Sequence, residues 1–173
     1  MAYVFQYGSN TLSSRLNSEN KLRGDARSLG AVYTREDFEL DFNVFSENNQ
    51  CAAADIIPNG GRKIWGVLYE IPDYLIRRGV SPGRKSLDAI EGEGNNYRRI
   101  GIALCYPDGS PVEEDVITYV VLNRQSDCRT SLDYCRFIIA GLREHNVSDE
   151  YIDYVKGRMA TNNETLRDAV EFL

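Results

Sequence analysis

The chain has 173 residues, long enough to bury a full core and most simply a single domain spanning residues 1–173. Its 20 Lys and Arg against 26 Asp and Glu give a net charge of −6, which argues against a nucleic-acid partner but not against a local nest for a small anion. No apolar run reaches spanning length and no charged-then-apolar leader opens the chain, so a soluble, cytoplasmic protein with no membrane partner is expected.

Ala2-Tyr3-Val4-Phe5-Gln6 is short and rich in β-branched and aromatic residues, which predicts a strand. Tyr7-Gly8-Ser9-Asn10 follows it, and residues 11–16 read as the opening of a helix. The four residues therefore sit at a strand-to-helix turn. Gly8 lets the backbone bend or a ligand come close. Ser9 and Asn10 suit a helix cap, and the N–H groups at a helix start can receive a carboxylate or an oxyanion. A plain capped turn accounts for the same four residues.

Residues 17–25 are polar and form a loop, and residues 26–33 and 38–45 read as strands. The second strand alternates, with Phe38, Leu40, Phe42 and Val44 on one face and Glu39, Asp41 and Asn43 on the other. Residues 51–57 are a strand whose alanines leave room for a bulky neighbour or a ligand. Residues 64–71 carry the clearest strand pattern. Two short helical pieces are expected at 72–78, with Pro72 in the first turn, and at 84–91. Strands at 97–106 and 116–122 flank the turn Pro107-Asp108-Gly109-Ser110. From Ser131 the pattern is helical, with Leu132, Cys135, Phe137, Ile138, Ile139 and Leu142 on one broad apolar face. Helices at 148–159 and 164–172 close the chain. Many strands followed by helices, without alternating βαβ units, predict an α+β fold: a small mixed or antiparallel β-barrel with flanking helices.

Cys51, Cys105, Cys128 and Cys135 show no C-x-x-C spacing and His145 is the one histidine, so no metal site is expected. Cys128 or Cys135 with His145 as base would be the pairing for a Cys-dependent hydrolase. A second candidate is Glu91, which closes the helical piece containing Ser86-Leu87-Asp88-Ala89-Ile90-Glu91-Gly92. A carboxylate there faces the negative end of the helix dipole, where Lys or Arg is the expected choice. Such a placement suits a proton carrier working near neutrality. A surface Glu in an acidic loop with Glu93 is the plainer account.

Taken together, the Tyr-Gly-Ser-Asn turn, the Gly66-Val67-Leu68-Tyr69 strand, the Leu-Asp-x-x-Glu-Gly stretch about eighty residues after the turn and the Tyr97-Arg98 strand resemble the γ-glutamylcyclotransferase family. Asp37 to Phe42 looks like the family's early strand, and the helical region from Ser131 through Tyr151 is similar to its cytosolic γ-glutamyl-amino-acid or amine branch. The resemblance covers nearly the whole chain. It implies a small β-barrel enzyme of acyltransferase or amidine-lyase type, without cofactor, that converts a γ-glutamyl amine or amino acid to 5-oxoproline plus the freed amine. By that likeness Glu91 matches the catalytic glutamate. Val4, Phe5, Gln6, Tyr7, Gly8 and Ser9, with Asn10 beside them, match the stretch binding the glutamyl head. Tyr134 matches a pocket tyrosine, and Tyr97 and Tyr119 match strand tyrosines near it. Gln6 stands where the family usually has a small residue, and the loop from Glu91 to Tyr97 is slightly shorter than in the cytosolic branch. Both departures bear on the leaving-amine side. Glu93 is a rival carboxylate to Glu91, less well held between glycines.

The implied chemistry is intramolecular, so a protein need only fold the substrate and move protons. The partner expected is a small γ-glutamyl molecule, and a homodimer is left open. A barrel that binds the same ligand without turnover, and the Cys-dependent hydrolase, are the alternatives.

Overall fold

A computed structural model describes residues 1–173. Eight strands are present: β1 (Ala2–Gln6), β2 (Arg27–Thr34), β3 (Phe38–Ser46), β4 (Cys51–Pro58), β5 (Trp65–Ile71), β6 (Tyr97–Ile102), β7 (Leu104–Cys105) and β8 (Val116–Val121). Six of them form one sheet in the order β6-β8-β1-β5-β2-β7, while β3 and β4 pair as a separate antiparallel hairpin. β1 lies near the middle, antiparallel to β5 and parallel to β8, so of the mixed or antiparallel sheet expected from the sequence the mixed form is what occurs. The expected single strand over 97–106 is broken at Ala103. Its first part pairs with β8 and its second with β2. The two outer strands of the sheet are thus one stretch of chain, and the sheet curls until that stretch joins its ends.

Alternation on β3 holds for Phe38, Leu40, Phe42 and Val44, all buried, but the register slips between Phe42 and Val44. Asn43 sits in that irregularity and is buried rather than turned to solvent, its amide donating to Asp55. Asp55 is fully buried and also accepts from the Val121 N–H at 3.0 Å and from Arg124 Nε at 2.8 Å, which fastens the hairpin to β8.

The helical region consists of α1 (Ser13–Leu16), α2 (Leu87–Glu91), α3 (Leu132–Glu144), α4 (Asp149–Asn162) and α5 (Arg167–Glu171). Ser131 and Ser148 cap α3 and α4 through hydrogen bonds from the N–H three residues on. The piece expected at 72–78 shrinks to a 3-10 turn, Asp73–Leu75, with Pro72 as its cap rather than inside it. On α3, Cys135, Ile138, Ile139 and Leu142 enter the core, each aliphatic side chain contributing about 1.5–3 kcal/mol. Phe137 departs from that face and turns toward the cavity described below. α3 lies directly on the turn after β1: a Cβ at Gly141 would come within 2.3 Å of Thr11 Oγ1 and 2.4 Å of the Leu12 nitrogen, so only glycine permits the contact. No helix is long and apolar enough to cross a membrane.

Candidate active site

After β1 the chain makes a 3-10 turn, Ser9–Thr11, and only then α1. The expected capping by Ser9 and Asn10 does not occur. Gly8 and Leu12 hold the two N-cap positions and neither helix has a side-chain cap. Asn10 is committed elsewhere: its Nδ2 donates to Glu91 Oε1 at 2.8 Å, and Gln6 Nε2 donates to the same oxygen at 2.9 Å. Asn10 Oδ1 in turn accepts from Lys21 Nζ. An ammonium can only donate, so Lys21 fixes which end of the Asn10 amide faces Glu91. Glu91 Oε2 has no partner in the protein.

α2 is shaped to present Glu91. Ser86 caps it by accepting from the Ala89 N–H, and Gly92 ends it at φ +75°, a left-handed residue that relieves any Cβ clash. Arg78 donates to the carbonyls of Asp88 and Glu93, so the cation expected at the end of this helix is supplied from the preceding loop. Asp88 is buried and takes both hydrogen bonds from Arg99 Nη1, at 2.8 and 2.7 Å, and one from Tyr119 Oη at 2.7 Å. It anchors α2 to β6 and β8. Its position in the Leu-Asp-x-x-Glu-Gly stretch, with an arginine on the following strand, was the only trace of this role in the sequence.

A cavity of about 520 Å³ opens beside Glu91, within the roughly 300–1,000 Å³ range of small-molecule sites. Residues from Gln6 through Asn10 line it, together with Glu91, Tyr97, Tyr119 and Tyr134. Val4 and Phe5 do not: their side chains are buried in the core on β1. Glu93 does not reach the cavity either. Ala53 and Ala54 form part of the wall, so the small residues of β4 do leave room. The Ala54 peptide holds two tyrosines, its N–H donating to Tyr134 Oη at 3.1 Å and its carbonyl accepting from Tyr97 Oη at 2.7 Å. Tyr7 Oη donates to the Tyr119 carbonyl. Burial pushes all four phenols up. Tyr134 reaches about 12, restrained by the hydrogen bond it accepts from the Ala54 N–H, and Tyr119 is raised further by its bond to Asp88. These rings are neutral walls rather than acids.

Gly8 has φ −101°, so its backbone is not in the left-handed region. Space is the constraint there: a Cβ would lie 3.3 Å from both the Ala54 Cβ and Tyr134 Oη. The backbone N–H groups of Tyr7 and Gly8 donate to no acceptor in the protein. Arg15, Lys21 and Lys85 also line the cavity. Burial lowers the Lys21 ammonium to about 8, Arg15 and Lys85 adding to the shift and Glu91 opposing it. These three cations lie in stretches whose sequence reads only as polar helix or loop.

The four cysteines are free and none lines the cavity. Cys135 is fully buried, and burial pushes its thiol up to about 12. His145 is occupied elsewhere, one ring nitrogen 2.8 Å from Ser28 Oγ and the other 2.8 Å from the Gly141 carbonyl. A cysteine–histidine nucleophile is not assembled. No group of three or more His, Cys, Asp or Glu side chains gathers as a metal site would need.

The family model described as Gamma-glutamyl cyclotransferase, AIG2-like, matches residues 4–137, a span holding every cavity residue named above. The chain belongs to this family. Solved structures share the γ-glutamyl cyclotransferase fold. A protein described as a gamma-glutamyl cyclotransferase superimposes with a TM-score of 0.76 at 22% identity, covering 99% of each chain. An uncharacterized protein from Homo sapiens gives 0.75 at 25% identity, over 90% of this chain and 86% of that one. YkqA from Bacillus subtilis gives 0.74 at 22% identity, over 93% of this chain but 55% of the longer relative. No curated protein sequence matches the chain.

Proposed function

We propose that the protein is a γ-glutamyl cyclotransferase that closes the substrate's α-amine onto its own γ-carbonyl, giving 5-oxoproline and the freed amine. The observation that carries this reading is Glu91, held through one oxygen by two neutral amides and leaving the other oxygen free at the cavity wall. The α-ammonium is no nucleophile until it loses a proton, and the presence of Glu91 as the carboxylate in the cavity lining supports its taking that proton. Attack of that nitrogen on the γ-carbon puts negative charge on the carbonyl oxygen. The unpaired N–H groups of Tyr7 and Gly8 are donors suited to it. The nitrogen then gives up a second proton, the γ-carbon–amine bond breaks, and the departing amine leaves carrying both protons as an ammonium. Glu91 carries them across, ending in the state in which it began. Ring closure within one molecule needs only a folded substrate, which the neutral tyrosine walls can enforce.

The test is mass-spectrometric detection of 5-oxoproline across γ-glutamyl amino acids, γ-glutamyl amines and glutathione. Binding of these compounds without product from any of them would replace the enzyme with a non-catalytic binding barrel.

A further inference from the structure

The cavity holds more positive charge than a γ-glutamyl head can use. Arg15, Lys21 and Lys85 line it against one lining carboxylate, Glu91, and none of the three forms an ion pair within the protein. Resting on the reading above, the head brings one ammonium and one carboxylate. The ammonium answers Glu91, and the carboxylate answers one cation. Lys21, tied through Asn10 to Glu91, stands at that end. Two cations remain without a counter-charge.

Arg15 is the better built of the two. Its guanidinium lies over the Phe137 ring, 4.0 Å from the centroid, and donates through Nη2 to Asn49 Oδ1. Nε is buried and has no acceptor. A planar fork held flat, with one buried donor unanswered, is the form in which arginine takes a carboxylate. Arg15 also lines a second, adjoining hollow of about 350 Å³ that shares Asn48, Asn49, Tyr134 and Phe137 with the main cavity. The one carboxylate in that hollow, Asp133, is exposed and already paired with Arg136 at 2.8 Å.

We infer that Arg15 forms a subsite for a carboxylate on the leaving amine, so that the preferred substrates are γ-glutamyl amino acids or peptides rather than γ-glutamyl polyamines. Lys85, exposed at the rim, adds long-range attraction of the same sign. A leaving portion that is itself cationic meets two uncompensated charges instead.

The experiment compares three leaving groups of similar bulk: γ-glutamylalanine, γ-glutamylalaninamide and γ-glutamylputrescine. Both kcat/KM for 5-oxoproline release and calorimetric affinity are read. The order expected is acid over amide over polyamine, with acid favoured over amide by roughly 10- to 100-fold, the range of one charge-assisted hydrogen bond. Arg15→Gln should bring acid and amide to within a few-fold of each other. Lys85→Gln, at an exposed site that cannot unsettle the fold, should narrow the acid–polyamine gap and flatten its salt dependence. Equal use of acid and amide, or preference for the polyamine, overturns the subsite. If no compound yields 5-oxoproline the enzymatic reading fails, and the affinities still decide the subsite: acid tightest supports it, while equal affinity or no binding overturns it.

Discussion

Two carboxylates, Asp55 and Glu91, are held in opposite ways, and the function proposed above gives them opposite tasks. Asp55 is fully buried, and both its oxygens are taken, by Asn43, the Val121 N–H and the cation Arg124. Glu91 is half-buried. One oxygen is clamped by two neutral amides, and the other is left open on a cavity. The first arrangement answers both oxygens and joins a hairpin to a barrel. The second fixes position while sparing an oxygen for something that arrives. Saturation suits a structural acid, and one-sided support suits the reacting role proposed for Glu91.

The sharpest way to break the comparison is to neutralise each in turn. Glu91→Gln keeps size and shape but cannot take a proton, so turnover should fall by roughly 10²–10⁴-fold while 5-oxoproline still binds. Steady-state kinetics beside calorimetry will read both, and near-full activity with loss in Glu93→Gln would point to the wrong carboxylate. Asp55→Ala should do the opposite. It strands the Asn43 amide and the Val121 N–H, at about 1–3 kcal/mol for each buried donor left unpaired. Denaturant unfolding should show that loss, whereas Glu91→Gln should unfold close to the wild type.

The Glu91 side of this contrast was legible in the sequence, and the rest was not, for two reasons. Short β-branched runs and the apolar face of α3 are local patterns, so β1, β5 and α3 fall where they were read. Glu91 stood out because it violates a local preference. The break at Ala103, the displaced Asn43 and the pairing of Asp88 with Arg99 and Tyr119 depend on chain segments brought together only by folding. Asn10 shows the same limit: nothing in its neighbourhood distinguishes a helix cap from a hand on a carboxylate 81 residues away. Lys21 and Arg15 were invisible for the reverse reason, since polar residues in a loop or a short helix are ordinary until a cavity gives them a direction.

Two smaller effects sharpen the picture of the open side. Gly8→Ala adds a methyl 3.3 Å from Ala54 Cβ and Tyr134 Oη, without backbone strain. The neighbours must yield by a few tenths of an ångström at the wall, and affinity for 5-oxoproline should drop by roughly tenfold, about 1.4 kcal/mol. Full affinity in a folded Gly8→Ala protein would remove the backbone cradle. Lys21 offers a pH signature. Burial lowers its ammonium from 10.5 to about 8, so between those values the unfolded chain holds a proton that the folded chain has released. Unfolding then takes up a proton, and stability rises with pH across that window relative to Lys21→Met. Melting curves of the two proteins at pH 7, 8, 9 and 10 should show the wild type gaining on the variant. A constant difference would mean that Lys21 keeps its proton on folding.

The seam at Ala103 has a mechanical consequence. In an open sheet each outer strand can peel away independently, and hydrogen exchange reports two separate frayed edges. Here the outer strands are consecutive pieces of one chain, joined through Ala103. Peeling β7 from β2 drags on β6, and releasing β6 slackens the strap that holds β7. The two margins behave like the ends of a buckled belt, so their amides should open together as one cooperative unit rather than as two.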